Sequence, residues 1–353
     1  LKKAITYRLL LPLCLKILLV GCLPDAADNQ GKSPDYFSPV VSPSLLQEDF
    51  PQPARNPMSK QGVLLGKTLF YDHGLSANGK VNCASCHLPQ LAFSDGVSLS
   101  DQGVSGKMLH RHSPALFNMT WHKGLFWDGG STNLESLVFG PLTHPDEMGA
   151  DLNEVIHYLR GNQDYSELFK AAFKTDTITS AFISRALAQF VRTLISQDSR
   201  YDQWQRKETD FNPQEISGYQ LYQKHCNSCH QEGLFTDLQY HNNGLDATYP
   251  DPDELEELLL GRYRISFDDQ DLGAYKTPSL RNIYLTAPYM HDGRFETLEE
   301  VLDHYENGIQ RNGSLAPELE NGINLTNQQR EDLLAFLATL TDHTFINNKA
   351  YQK

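Results

Sequence analysis

Two five-residue segments hold most of the chemistry this sequence can do. Cys83-Ala84-Ser85-Cys86-His87 and Cys226-Asn227-Ser228-Cys229-His230 both read C-x-x-C-H. That pattern attaches haem c: the two thiols add across the porphyrin vinyl groups, and the adjacent histidine is held under the ring as an iron ligand. A structural zinc site would need the two cysteine pairs to meet across 143 residues, whereas zinc ribbons separate them by about 15–20. It would also leave the histidine after each pair to chance. A thioredoxin-like redox pair would sit in a βαβ pattern, which surrounds neither motif. Two covalent haems are therefore expected, attached at Cys83, Cys86, Cys226 and Cys229, with His87 and His230 on the irons.

The elements that must position these groups also come in two copies. Each motif follows a Gly-x-x-Leu-aromatic segment, Gly66 to Phe70 and Gly218 to Tyr222. Each is followed much later by an amphipathic stretch with a matching end, Phe190-Val191-Arg192-Thr193-Leu194 and Phe336-Leu337-Ala338-Thr339-Leu340. Leu, Ile, Phe and Val recur at helical spacing over Ala181 to Leu194 and Gln328 to Leu340, and Thr326 is placed to cap the second helix. Between these signals Gly, Pro, Asn and Asp are frequent and period-2 runs are few. The expected fold is mainly α: two cytochrome c-like haem domains with long loops, haem crevices facing the domain interface. The expected boundaries are 56–210 and 211–343, with a tail over 344–353.

Residues 1–22 form a separate segment. Lys2, Lys3 and Arg8 precede an apolar run, Leu9 to Val20, that is too short to span a bilayer. This is a signal-peptide pattern. Its end, Leu19-Val20-Gly21-Cys22, resembles a bacterial lipoprotein box, in which the cysteine is lipidated; a plain cleaved signal is the simpler alternative. Residues 23–55, rich in Pro, Ser and Asp, read as a tether. The chain has 353 residues and a formal net charge of −14. Losing the leader removes Lys2, Lys3, Arg8 and Lys16 and no acid, which takes the charge to −18. So acidic a surface excludes wrapping nucleic acid and would steer a partner with a basic docking patch. An exported, periplasmic, membrane-anchored protein is expected.

From Asn56 to Leu340 the sequence resembles the bacterial dihaem cytochrome c peroxidase superfamily, which includes the MauG proteins. The resemblance rests on Leu69-Phe70-Tyr71-Asp72 with Leu75-Ser76, Ser113-Pro114-Ala115-Leu116-Phe117-Asn118, Phe126-Trp127-Asp128-Gly129, and Gly140-Pro141 with Glu147-Met148-Gly149. It continues in Thr277-Pro278-Ser279-Leu280-Arg281-Asn282 and Leu285 to Gly293. It implies that peroxide reacts at the N-terminal haem and that the C-terminal haem relays electrons. Glu147 matches the distal acid that shuttles protons between the peroxide oxygens; a solvated surface acid is the plainer reading. Trp127 matches the tryptophan between the haems, or is simply a core aromatic. Pro141 corresponds to a residue shaping the distal pocket. A calcium ion is implied between the domains, on backbone oxygens of Thr286 and Pro288, with His112 where a third ligand is usually Asn.

Three departures bear on function. Val104 stands where reductively activated members carry a histidine that blocks the first haem, so that iron is expected to be open when oxidised, unless His110 or His112 substitutes. Tyr305 aligns with the distal ligand of the relay haem, a methionine in many members and a tyrosine in MauG proteins. An anionic phenolate favours higher oxidation states; His304, Met290 or a merely packing tyrosine are the alternatives. Leu137 replaces a glutamine common in the distal pocket. The resemblance implies a peroxidase that reduces hydrogen peroxide with electrons from a small cytochrome c, a cupredoxin or a quinol chain. A MauG-like oxidase acting on side chains of a partner protein, and a non-catalytic dihaem electron carrier, are the alternatives.

Overall fold

Gly66 and Gly218 set how each half is built. The Lys60–Phe70 helix is capped by Ser59, whose side chain accepts from the Gly62 amide, and it crosses the Ser180–Arg192 helix. In the second half Pro213–His225 crosses Asn327–Ala338 in the same way. A Cβ at Gly66 would lie 1.9 Å from the Ala186 carbonyl oxygen, and one at Gly218 would lie 1.9 Å from that of Asp332. Only glycine permits so close a backbone approach. Beside each crossing an aromatic pair closes the core, Phe70 with Phe190 at 5.1 Å and Tyr222 with Phe336 at 5.0 Å. The two signals that repeat in the sequence are thus the two sides of one helix crossing, used twice.

The computed structural model describes residues 35–46, 50–251 and 258–353. The leader, its lipobox-like end and residues 23–34 of the tether lie outside the described residues. The described residues form one compact unit. The long helices end within two residues of expectation, at Arg192 and Ala338, and Thr326 does cap the latter, in a capping box with Gln329. Among the described residues β-structure is slight: Tyr240–His241 pairs antiparallel with Tyr275–Lys276.

A second correspondence joins the halves. Asn118 and Asn282, which end the two Pro-containing motifs, both take left-handed backbone, φ 57° and 56°. The amide of Asn118 donates to the Leu194 carbonyl at 2.8 Å, and that of Asn282 to the Leu340 carbonyl at 3.0 Å. Their side chains meet at Ser196: Asn118 Nδ2 donates to its carbonyl and Asn282 Nδ2 to its hydroxyl, both at 3.0 Å. Ser196 in turn donates to Asp342. Nearby, the fully buried guanidinium of Arg281 makes a two-pronged pair with Asp202 at 2.7 and 2.8 Å.

Two expectations about the ends of the chain need correcting. The described part of the expected tether is not a spacer: Leu45 and Phe50 are buried in a small core with Met58, Trp121 and Leu234. Apolar residues spaced among Pro and Ser were enough to fold back. Residues 344–353 are likewise no tail. Phe345 is buried in the first core, 5.8 Å from Phe93, and Tyr351 donates to the Thr193 carbonyl at 2.8 Å.

Candidate functional site

The second C-x-x-C-H motif opens on a cavity of about 300 Å³, lined by Cys226, Cys229, His230, Met290 and Tyr305 among others. His230 Nδ1 lies 3.0 Å from the Pro278 carbonyl and 3.3 Å from that of Phe235. An imidazole donating through Nδ1 presents Nε2 as a ligand. Desolvation by the surrounding protein lowers the pKa of His230, which keeps it neutral as a ligand must be. The Tyr222 hydroxyl donates to the His230 carbonyl and fixes the backbone of the motif. The donor set and the cavity fit a covalently attached haem.

Tyr305 enters that cavity through a change of helix type. The helix Leu298–Asp303 widens into a π turn over His304–Gly308, a distortion common at functional sites. Tyr305 lines the cavity, its pKa raised by burial and drawn back by a hydrogen bond with Asn243. His304 is buried with Nε2 3.0 Å from the Asn243 carbonyl, so its ring is already engaged. Met290 lines the same cavity, its sulfur accepting from Asn243 Nδ2 at 3.4 Å. Asn243, which the sequence reading missed, therefore touches all three candidates; only its place before a glycine marked it as a turn residue.

The first motif repeats the proximal arrangement. His87 Nδ1 is 2.8 Å from the Phe93 carbonyl, and Phe93, like Phe235, has left-handed backbone, φ 64° and 55°. Burial lowers the pKa of His87 as well. The rest of its surroundings differ. Glu147 sits on a tight loop in which Met148 N donates to the Pro141 carbonyl at 3.1 Å and Glu147 N to that of His144 at 3.0 Å. Burial raises the carboxyl pKa, opposed in part by His144, whose Nδ1 is 3.8 Å from Glu147 Oε1. Burial raises the Cys86 thiol pKa and the Glu147 carboxylate is close enough to add to the rise, so acid and attachment site share one neighbourhood.

Val104 docks on this loop, its amide donating to the Glu147 carbonyl at 2.7 Å. Its methyl group packs against Gly149, and Gly103 leaves no room for a Cβ beside the Asp146 carbonyl. The side chain delivered here is apolar. His110 is exposed. His112 is buried with Nδ1 2.8 Å from the Val97 carbonyl and Nε2 3.2 Å from Ser94 Oγ. Leu137 packs against the first core.

A smaller cavity, about 100 Å³, is lined in part by Trp127, His112, His122, Lys276, Thr286 and Pro288. Trp127 also lines the larger cavity and donates from Nε1 to the His112 carbonyl at 2.8 Å. The three expected calcium contacts thus line one cavity, where the Thr286 and Pro288 carbonyls suit the ion but His112 does not. Calcium takes six to eight oxygens; His112 offers nitrogens, both already engaged, and the buried lysine Lys276 lines the same space. Lys276 is the second residue the sequence reading missed, although it directly precedes a motif that was read.

A family model for di-haem cytochrome c peroxidase matches residues 60–210, and one for cytochrome c matches residues 216–341. The methylamine utilization protein MauG of Methylorubrum extorquens is 36% identical over 297 residues, covering 83% of this chain and 82% of that protein. Cytochrome c551 peroxidase of Nitrosomonas europaea is 31% identical over 255 residues, covering 72% and 75%. A solved MauG-like protein associated with microbial copper homeostasis is 36% identical, with a TM-score of 0.78, covering 85% of this chain and 95% of that one. Sequence, fold and paired motifs agree: the chain is a two-haem c-type protein and belongs to the di-haem cytochrome c peroxidase and MauG family.

Proposed function

We propose that the protein reduces hydrogen peroxide to two waters, consuming two protons and two electrons, with peroxide reacting on the haem held by His87. The observation that carries this reading is a partly buried acid, Glu147, near the first attachment site, on a loop where the docked side chain is the apolar Val104, which has no atom to ligate iron. The bound haem supplies the redox chemistry of O–O cleavage. Glu147 takes a proton from the nearer peroxide oxygen and returns it to the farther one. Its raised pKa suits a group that must both accept and donate. Pro141 fixes the Glu147 loop through its carbonyl. Trp127, lining both cavities, would carry electrons between the haems, and Tyr305, lining the larger cavity, would hold the iron of the second.

The two electrons come one at a time from a small cytochrome c, a cupredoxin or a quinol chain. A second reading is favoured by the same Val104 and by Tyr305: a MauG-like oxidase that draws both electrons from side chains of a partner protein. The relatives named for methylamine utilization and for copper homeostasis support it. The leader pattern supports a periplasmic protein, lipid-anchored at Cys22. Among the described residues no helix is long and apolar enough to cross a membrane. The test is steady-state peroxide consumption with reduced cytochrome c as donor. Turnover that falls at least about a hundredfold in Glu147→Gln at unchanged haem content is expected. Equal turnover would remove the acid from the mechanism, and no turnover in the parent would leave an electron carrier.

A further inference from the structure

Among the described residues Lys276 is a charge without an evident partner. It is only 7% exposed, and among the described residues its ammonium has neither a hydrogen-bond nor an ion-pair partner. Desolvation alone pushes its pKa down to about 8. The ionisable neighbour it acts on is His122, itself a buried base held well below its usual pKa by burial first and by this lysine second. An ammonium taken out of water without a counter-charge costs several kcal/mol, so a position like this calls for an anion that the polypeptide does not provide.

The haem provides one. Each c-type haem keeps two propionate carboxylates, and Lys276 lines the large cavity that opens from Cys226 and Cys229 as well as the small cavity beside it. Its place is rigid: it lies in the Tyr275–Lys276 strand, and its amide donates to the Trp127 carbonyl at 2.8 Å. Other cationic groups on the large cavity are less suited. Lys224 is exposed, and His241 is already paired with Asp237 at 2.7 Å.

We propose that Lys276 forms a buried ion pair with a propionate of the haem attached at Cys226 and Cys229, on the wall that this haem shares with the cavity behind Trp127. A fixed positive charge there favours the state with one more electron, so it holds the reduction potential of the second haem up. It also puts the protein's own cation in the cavity where the family resemblance implied calcium. The inference rests on the presence of two haems and not on the peroxide reaction, so its test needs no peroxide.

The test is an anaerobic spectroelectrochemical titration of the haem-loaded protein, Lys276→Met and Lys276→Arg. The second haem is identified as the one whose spectrum changes in Tyr305→Phe. Lys276→Met is expected to lower the equilibrium constant for reducing the second haem by about tenfold, which is ~59 mV for one electron. Lys276→Arg should stay within about threefold of the parent. No change in Lys276→Met, or a change confined to the first haem, would overturn the proposal. Should Lys276→Met fail to take up haem, a crystal structure of the loaded parent decides. Nζ within about 4 Å of a propionate oxygen is expected, and a longer separation or an intervening metal ion would contradict it.

Discussion

The two halves hold their haems by the same means and differ in the loop that carries Glu147 and the helix turn that carries Tyr305. The shared parts are a glycine crossing at Gly66 and Gly218, a histidine whose Nδ1 is held by a left-handed phenylalanine's carbonyl, and an asparagine turn that ties the loop to its helix. The first half then has the Glu147 loop with Val104 docked on it, whereas the second has the π turn that brings in Tyr305. On the proposed reading the first haem is left open next to an acid and the second is closed by a phenol. The lesson is that attachment and reactivity are separable: the repeated residues decide where a haem sits, and a few unrepeated ones decide what it does.

Breaking the unrepeated part should have the largest effect. Glu147→Gln should slow peroxide consumption by about 100- to 10,000-fold, with both haems still attached by mass and absorbance. A loss under about threefold would place the proton route elsewhere. Next in size is the buried ion pair. Arg281→Ala strands Asp202, whose pKa is raised by burial but held below the usual 3.8 overall by Arg281, and should cost about 3–5 kcal/mol in denaturant unfolding. The first half's pair, Arg192 with Glu135, leaves the acid 21% exposed, so Arg192→Ala should cost only ~1.5–3 kcal/mol. Both acids have lowered folded-state pKa values. The stability they contribute is therefore complete above the unfolded values of 3.8 and 4.5 and is lost as pH falls through the lower folded ones.

Smaller effects test whether the halves are equivalent where they look alike. Gly66→Ala and Gly218→Ala should each destabilise by about 1–3 kcal/mol, and by similar amounts, because each places a methyl group against a backbone carbonyl at the same distance. A marked inequality would mean that the crossings are matched in geometry but not in packing. Smallest of all, Tyr305→Phe should change the absorbance and electron paramagnetic resonance of one haem and leave the first reaction with peroxide within about threefold. A change at both haems would show that the π turn does not isolate its effect.

Much of the molecule was legible in the sequence. The C-x-x-C-H motifs identified the cofactor because two thiols and a histidine in that order serve one chemistry. The Gly-x-x-Leu-aromatic repeat foretold a shared element, and the helical periodicity before Leu194 and Leu340 marked its partner. Glu147, Val104 and Tyr305 were singled out only by resemblance, because nothing in a lone Glu, Val or Tyr distinguishes it from a surface or packing residue. Leu45, Phe50 and Phe345 were misjudged because Pro- and Ser-rich flanks hide isolated apolar residues whose partners lie far along the chain. His112 looked like a ligand until its ring nitrogens were seen engaged. Lys276 left no signal at all, since the cost of burying a charge appears only once the surroundings are known.

The most direct test mixes the fully oxidised protein with one equivalent of hydrogen peroxide in a stopped-flow spectrometer, with no reductant present. With Val104 leaving the first iron open and Glu147 at hand, the oxidised haem spectrum should be lost rapidly, and much more slowly in Glu147→Gln. If the spectrum stays unchanged until one electron has been supplied, a side chain blocks the first haem at rest, and Val104 does not leave that iron open.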